Sequence, residues 1–367
     1  MIRAGLVGLG KMGISHCAIL NAHPNVELVA VCDSAQYVLG VLNKYTGVRT
    51  YGDFRRMIDE VALDCVVVAT PSRTHADVVQ YALERDLDVF CEKPFVLDPL
   101  DGERLVELAR GRGRVTQVGY HYRFVGAFRE ARRLLEAGAL GRVHHLRAEA
   151  YGPVVLRPRG STWRSARAEG GGCLYDYASH AIDLVNFLVG PPIAVSGATL
   201  AKVFSRDVED EVYATLRFGD GSSGQLAANW SDESYRRMTT RVSVWGTNGR
   251  VNVDRQECQI SLRERVDGLP DLGPGWTVRY TTELTAPVGY YLRGEEYSAQ
   301  IDHFVQAVAQ RRTEHPYSFA CALETDRVVQ MILRDAESAR AAPAAPPAGR
   351  PARRRGLLDS IRRVLSH

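Results

Sequence analysis

The chain has 367 residues, of which 45% are hydrophobic and 24% are charged, a composition typical of a globular protein long enough for two domains. Its net charge is +3, but six arginines and one aspartate in residues 341–367 put +5 on that tail and leave −2 on the rest. That balance gives no electrostatic reason to expect a nucleic-acid partner. The seven cysteines are scattered and form no C-x-x-C pair, which favours reduced thiols over a disulfide framework or a zinc site.

The N-terminal residues predict a strand that ends in a glycine turn. Apolar residues 2–7 precede Gly8-Leu9-Gly10-Lys11-Met12-Gly13, which has the spacing G-x-G-x-x-G. In a dinucleotide site the first glycine allows the turn, the second lets backbone N–H groups approach the pyrophosphate, and the third lets the helix pack on the strand. A chance match would mean only a turn, but this one lies between a predicted strand and a predicted helix, as the motif requires.

A second apolar strand over residues 26–31 is followed by Asp33, which lies 20 residues beyond Gly13. At that distance a carboxylate can accept hydrogen bonds from an adenosine ribose. Without the glycines, it would be read as a solvated strand-end carboxylate. The next three residues supply no cation for a 2′-phosphate, which favours NAD over NADP.

Strand and helix patterns alternate to about residue 125 and predict a doubly wound parallel sheet. Further strands are predicted near 63–69, 88–91 and 115–119, and helices near 53–59, 74–85 and 98–110. Ligands bind at the carboxyl edge of such a sheet. That edge carries the glycine turn, Thr70-Pro71 and Glu92-Lys93-Pro94. There Glu92 could hold ribose hydroxyls and Lys93 could face the reacting oxygen, although an isolated lysine is usually a solvated charge.

The pattern changes after Gly141. Residues 143–151 and 193–265 form short alternating or β-branched runs joined by turns, which predicts a large, mostly antiparallel, open sheet. Helices are predicted near 174–188, 294–311 and 319–340. We therefore predict a Rossmann domain over 1–123 and an α+β domain over 124–340, with the last helix returning to the first domain.

The tail over 341–367 is rich in alanine, proline and arginine, and we predict it to be disordered. Near its end, apolar residues at helical spacing with two arginines predict a short basic amphipathic helix over residues 357–365. This helix either docks on a partner or an anionic membrane surface, or is a frayed terminus. Because Met1 leads directly into a predicted strand and no run reaches about 18 apolar residues, we expect a cytoplasmic protein without a membrane span.

Asp176 and His180 are four residues apart on the predicted helix after Gly170-Gly171-Gly172, so they share one face. A carboxylate beside an imidazole suits alcohol oxidation, in which a base takes the hydroxyl proton as hydride leaves. A purely structural pair is the alternative. Before the glycines, a basic stretch could receive a carboxylate or diphosphate, or could be a solvated loop: Arg157, Arg159, Trp163 and Arg164. No spacing of histidine, cysteine or aspartate suggests a metal site.

Four motifs in chain order resemble those of the Gfo/Idh/MocA oxidoreductase family, over residues 1 to about 335. They are the glycine turn, Glu92-Lys93-Pro94, the segment 119–124, and the triple glycine that leads to Asp176 and His180. The resemblance implies that His180 accepts a proton, that Lys93 polarises the substrate oxygen, and that Asp176 completes the catalytic set. The cofactor residues that we predict are Gly8, Gly10, Lys11, Met12, Gly13, Asp33, Thr70, Pro71, His75, Glu92 and Lys93.

Some of these assignments have structural alternatives. His75 could cap its helix instead of touching the cofactor. The predicted substrate residues are Tyr120, Arg123, Trp163 and Arg164, and the last three could equally be packing or ion-pair residues.

The resemblance implies an NAD-dependent dehydrogenase that oxidises a secondary hydroxyl of a sugar, cyclitol or nucleotide sugar. It also implies a homo-oligomer, a dimer or tetramer, in which the open face of the second sheet forms the interface. Two other functions stay open. Some members of the family use bound NAD in redox-neutral glycoside cleavage, and some are non-catalytic sugar sensors.

Overall fold

The computed structural model describes residues 1–154 and 163–341. A six-stranded sheet forms the first half, with order β3-β2-β1-β4-β5-β6 and every pair parallel. Its order reverses between β1 and β4, so a crevice opens at the carboxyl ends of those strands. The strands are β1 (Ile2–Val7), β2 (Val26–Cys32), β3 (Arg49–Tyr51), β4 (Cys65–Val68), β5 (Asp88–Cys91) and β6 (Thr116–Val118).

Five helices connect these strands: α1 (Lys11–Ala22), α2 (Gln36–Thr46), α3 (Phe54–Glu60), α4 (His75–Glu84) and α5 (Pro99–Gly111). Local chemistry sets their starts. The Asp98 carboxylate accepts from the Leu100 amide and Pro99 occupies the first helical position, a favoured N-terminal arrangement. The Asp53 carboxylate caps α3 in the same way. The predicted parallel sheet is confirmed, whereas α2 and β3 are absent from the sequence prediction.

The second sheet has eight strands in the order β14-β13-β12-β11-β7-β10-β9-β8. Only β7 and β10 pair in parallel, so the prediction of a mostly antiparallel sheet is confirmed. The strands are β7 (Val143–Tyr151), β8 (Ala194–Ala201), β9 (Glu211–Arg217), β10 (Ser223–Asn229), β11 (Thr239–Gly246), β12 (Gly249–Val253), β13 (Glu257–Leu262) and β14 (Gly275–Tyr280).

Helices cover one face of this second sheet. They are α6 (Gly126–Glu136), which the sequence analysis missed, α7 (Ser179–Val189) and α10 (Phe319–Ala341). On β7, Leu146, Ala148 and Ala150 are buried beneath them, while the alternate residues are exposed or half-buried, the pattern of a sheet with one covered face. The short helix α8 (Thr281–Leu284) follows β14.

Two late helices pack on the first sheet. Ile301 and Phe304 of α9 (Glu295–Ala309) lie in one apolar cluster with Leu6 and Phe90. The first turns of α10 put Phe319 and Leu323 against the other side of that sheet, while Val328 to Ala336 join the core of the second sheet. Each end of α10 therefore belongs to a different core. The domain boundary at residue 123 stays a prediction.

Arg123 ties these parts together from a turn at His121–Phe124. Its guanidinium donates to both Asp183 carboxylate oxygens of α7, at 2.8 and 2.6 Å, and also to the Pro316 carbonyl. Asp183 further accepts from the Thr325 hydroxyl of α10. This corrects the substrate role predicted for Arg123, because the residue is only 4% exposed and its guanidinium is committed to a buried ion pair.

We expect Arg123→Ala to lower the free energy of unfolding by about 3–5 kcal/mol, because it leaves the Asp183 charge buried and uncompensated. Urea titration measures the change. Arg129→Ala on the exposed face of α6 is the matched control, with an expected change within about 0.5 kcal/mol. The double variant Arg123→Met with Asp183→Leu should cost less than Arg123→Ala. Equal stability of the Arg123→Ala and Arg129→Ala variants would contradict this account.

Candidate active site

The glycine turn after β1 has the close packing that its spacing predicts. Gly8 has φ of +97°, and a Cβ there would lie 2.7 Å from the Ala69 carbonyl group. A Cβ at Gly13 would lie 1.9 Å from the Gly8 oxygen, whereas one at Gly10 would meet nothing within 4 Å. Two glycines therefore close the turn on β4, and the third leaves open space at the N-terminus of α1. A dinucleotide phosphate fits that space.

Asp33 follows β2 beside this turn. Its carboxylate accepts from the backbone N–H groups of Leu9 and Ala35. These bonds fix the carboxylate next to the glycine turn, where a ribose of a bound dinucleotide would lie. The residues present therefore fit NAD, and Asp33 keeps its predicted role as a proposal.

His75 connects the loops that follow β4 and β5. It is 1% exposed, with Nδ1 2.9 Å from the Pro94 oxygen and Nε2 3.0 Å from the Thr70 oxygen. Burial lowers its pKa. This corrects both sequence interpretations, since the ring neither reaches the cleft nor caps α4 but holds two strand-end loops together. Thr70 and Pro71 are more exposed and stay candidates for cofactor contact.

Glu92 at the end of β5 is buried against α1. Its Oε1 lies 2.7 Å from Nε2 of His16, and all three carboxyl atoms would lie 3.1 Å from a Cβ at Gly119. Burial by itself raises the pKa of Glu92, but the hydrogen bond with His16 and the nearby positive charge of Lys93 contribute to a net lowering of that pKa. The sequence analysis missed His16; the available signal was its position one turn after the glycine motif.

Lys93 connects the end of β5 in the first sheet to the helix that follows the triple glycine. Its Nζ donates to Oδ1 of Asp176 at 2.9 Å and to the Asp176 carbonyl at 3.2 Å. Arg164 donates to the other carboxylate oxygen at 2.9 Å. Burial alone would raise the pKa of Asp176, but the two cations hold it at about 2. Asp176 is therefore an ionised carboxylate held between two positive charges.

The helix over 174–189 begins with a π-helical turn, Leu174–Ala178, before α7. Such turns insert one extra residue and are frequent at functional sites. Asp176 lies in this turn and pairs with Lys93 and Arg164. This corrects the expectation of a regular helix that puts Asp176 beside His180.

His180 lies at the start of α7 and is 4% exposed. Burial and the charge of Lys93 lower its pKa well below the usual range, so the ring is neutral. Its centroid lies 6.0 Å from Tyr120, 5.1 Å from His121 and 5.2 Å from Tyr122, each edge to face. Tyr120 is 2% exposed and packs edge to face against the His180 ring, so its predicted contact with substrate stays a prediction.

Glu209 holds the N-terminal end of the π-helical turn, and no sequence motif pointed to it. It is 1% exposed, accepts from the Leu174 amide, and forms an ion pair of 2.5 Å with Arg167. A Cβ at Gly172 would lie 2.2 Å from its carboxylate. The triple glycine therefore lets this carboxylate approach the backbone, and Glu209 positions the segment that carries Asp176.

Trp163 and Arg164 precede that segment, and the Arg164 guanidinium lies 4.7 Å from the centroid of the Trp163 ring. Arg164 contacts Asp176 through Nε, and its side chain is 41% exposed, so the predicted substrate role of Trp163 and Arg164 stays a prediction. Arg157 and Arg159, and the predicted helix over 357–365, lie outside the described residues. Among the residues that are described, no three or more metal-ligating side chains are grouped to hold an ion, and no helix is long and apolar enough to cross a membrane.

The open space at Gly10, the parallel sheet that reverses its order at β1 and β4, and the Lys93–Asp176 ion pair are consistent with an enzyme that binds a dinucleotide. Residues 2–120 match the model of the oxidoreductase family with an NAD-binding Rossmann fold, and residues 128–252 match the GFO/IDH/MocA C-terminal domain. The chain belongs to the Gfo/Idh/MocA oxidoreductase family.

Several characterised proteins are similar over most of their length. The rhizopine catabolism protein MocA of Rhizobium meliloti is 32% identical over 67% of this chain and 76% of that protein. The NAD-dependent scyllo-inositol 2-dehydrogenase of Bacillus subtilis is 24% identical over 85% and 87%. The 2,7-anhydro-N-acetylneuraminate hydratase of Escherichia coli is 28% identical over 72% and 70%.

A solved structure has the same fold. The complex of levoglucosan dehydrogenase with NADH and levoglucosan superposes with a TM-score of 0.81, covering 92% of this chain and 97% of that one at 24% identity.

We expect the pKa shifts of His180 and His121 to make stability depend on pH. Burial lowers the pKa of His121 to about 3, so the unfolded chain, with a histidine pKa near 6.5, binds protons that the folded chain does not. The free energy of unfolding should therefore fall below about pH 6.5, by about 2 kcal/mol per histidine between pH 7 and 5.

Urea titrations of the cofactor-free protein at both pH values measure this loss. His121→Phe should reduce it by about 2 kcal/mol, whereas His144→Phe at an exposed position of β7 should leave it unchanged. An identical loss in the wild type and both variants would contradict the shift assigned to His121.

Proposed function

We propose that this protein is an NAD-dependent dehydrogenase that oxidises a secondary hydroxyl of a sugar or cyclitol. One observation carries the proposal: Lys93, which follows β5 of the first sheet, and Asp176, in the π-helical turn that packs on the second sheet, meet at 2.9 Å, beside the neutral ring of His180. Both lie at the edge that carries the glycine turn. The dehydrogenases of levoglucosan and scyllo-inositol among the relatives support a polyol substrate.

The roles follow from charge and position. The backbone of the glycine turn would hold the diphosphate, Asp33 the adenosine ribose and Glu92 the nicotinamide half. NAD, when bound, supplies the hydride acceptor. The unprotonated His180 accepts the hydroxyl proton, and the Lys93 ammonium donates to the same oxygen as negative charge develops. Asp176 positions Lys93, and Arg164 in turn holds Asp176.

We expect NADH to bind at least about tenfold more tightly than NADPH, because the Asp33 carboxylate would repel a 2′-phosphate. Fluorescence titration of the two reduced cofactors measures both Kd values. Asp33→Ser should narrow the difference, and Asp77→Ser on the exposed side of α4 should preserve it. Tighter binding of NADPH by the wild type would overturn the role given to Asp33.

We expect the protein to reduce NAD with at least one member of a panel of inositols, aldoses, glucosides, sugar acids and nucleotide sugars. Lys93→Met and His180→Phe should each lower kcat roughly 10²–10⁴-fold, as for the loss of a polarising or proton-accepting group. The exposed Lys44→Met and His144→Phe variants are the matched controls. Unchanged kcat in the Lys93 or His180 variant would refute its proposed role, provided that the NADH Kd is also unchanged.

The same assay distinguishes a second function. The similarity to the hydratase favours considering a redox-neutral reaction, such as glycoside cleavage, in which NAD is reduced only transiently. The dehydrogenase releases one NADH for each substrate molecule consumed. Substrate loss without accumulation of NADH would instead identify the redox-neutral enzyme, and binding without turnover would identify a sugar sensor.

We further propose that the protein is a cytoplasmic homo-oligomer that uses the open face of the second sheet. In support, all seven cysteines are free thiols, and the exposed side chains of that sheet include Tyr213, Trp276, Val278 and Tyr280. Burial of such aromatic and aliphatic groups is a common source of interface energy.

A further inference from the structure

A second imidazole, that of His121, lies beside His180 and has no role in the proposed reaction. It follows β6 in the turn at His121–Phe124. The two ring centroids are 5.1 Å apart, with an interplanar angle of 73°. The charges of Glu92 and Lys93 both act on the pKa of His121, which places it near the edge that would hold the nicotinamide half of the cofactor.

Two tyrosine rings hold His121 in one orientation. Tyr297 of α9 stacks on it at a centroid distance of 4.5 Å and an angle of 18°, and Tyr122 lies 4.4 Å away at 34°. The Tyr297 oxygen is 3.4 Å from Nε2 of His121. Because the two rings are stacked, this distance is mainly a contact between rings and not a strong hydrogen bond. Unlike His180, His121 keeps partial exposure as a residue.

His121 is also neutral. Burial, reinforced by the charges of Lys93, Arg255 and Arg293, outweighs the opposing effect of Glu92 and lowers its pKa to about 3. A neutral imidazole has one N–H donor and one acceptor nitrogen. It therefore suits a hydroxyl group, which can both donate and accept, better than it suits a carboxylate or phosphate.

We propose that His121 determines substrate specificity by hydrogen-bonding the hydroxyl on the carbon next to the one that is oxidised. The inference rests on the proposed dehydrogenase function, in which His180 and Lys93 bind the reacting hydroxyl. The two imidazole centres are about 5 Å apart. One hydroxyl of a vicinal diol can therefore bind His180 while the adjacent hydroxyl binds His121, each through a hydrogen bond of about 2.9 Å. The site thus selects vicinal diols over isolated alcohols.

This role is tested by a double cycle that combines a substitution at His121 with removal of one hydroxyl from the substrate. The probes are methyl glucosides, each compared with monodeoxy analogues that lack one hydroxyl. With the wild type, removal of the neighbouring hydroxyl should lower kcat/KM roughly 10- to 100-fold, because the imidazole of His121 then loses its hydrogen-bond partner. With His121→Phe, which keeps a flat ring between the two tyrosines, the same removal should change kcat/KM by less than about threefold.

Two further variants separate hydrogen bonding from packing. His121→Asn keeps a donor and an acceptor and should retain more of the discrimination than His121→Phe. His144→Phe, the same change at an exposed site, should leave the wild-type ratio intact. If the deoxy analogue loses equal activity with the wild type and His121→Phe, His121 does not read the neighbouring hydroxyl and the inference is overturned.

Failure of the proposed function gives a different result. Without dehydrogenase activity, the wild type would form no NADH from any glucoside or from the wider polyol panel. If the protein is active but the effect of removing the hydroxyl does not depend on the residue at position 121, only the role of His121 is overturned.

Discussion

The ion pair between Lys93 and Asp176 is the contact on which the rest of the site depends. Burying two charges costs desolvation energy that their attraction offsets only when the remaining donors and acceptors are also satisfied. Here the second Asp176 oxygen accepts from Arg164, and Lys93 also donates to a backbone carbonyl. Lys93 follows a strand of the first sheet, and Asp176 lies in the π-helical turn that precedes α7 on the second sheet. The ion pair therefore forms only when these two parts of the chain pack against each other.

The site keeps a fixed negative charge apart from a neutral base, although both groups are buried. Asp176 is ionised because two cations contact it, and these overcome its burial. Burial and the charge of Lys93 lower the pKa of His180, so its ring is neutral and has one unprotonated nitrogen. Sequence proximity would suggest that Asp176 acts directly on His180. The structure instead assigns Asp176 to the lysine, and the imidazole is free to accept a proton.

Much of this arrangement could be predicted from local sequence. The glycine spacing, the position of Asp33 and the alternation of strands and helices all follow from patterns within about 30 residues. Lys93 was recognised from its place at a strand end. The sequence prediction has no element between Asp33 and Asp53 and so misses α2, along which only Leu39 is fully buried.

Other parts had no local signal. His16 contacts Glu92, Glu209 contacts the Leu174 amide, and His121 stacks on Tyr297, across long separations in the chain that no periodicity reports. For Arg123 the sequence contained a signal but not the role of the residue. Its motif marked it as important, but only the three-dimensional position of Asp183 shows that the importance is structural. The extra residue of the π-helical turn likewise leaves no recognisable mark in the apolar pattern.

The helix α10 has a mechanical consequence for the cleft. Its N-terminal turns pack in the core of the first sheet and its middle turns in the core of the second sheet. One continuous helix of 23 residues therefore connects the two cores. Opening the crevice by a hinge motion would have to bend this helix or expose apolar side chains of one core. The helix therefore resists any change in the spacing between the two cores that flank the crevice.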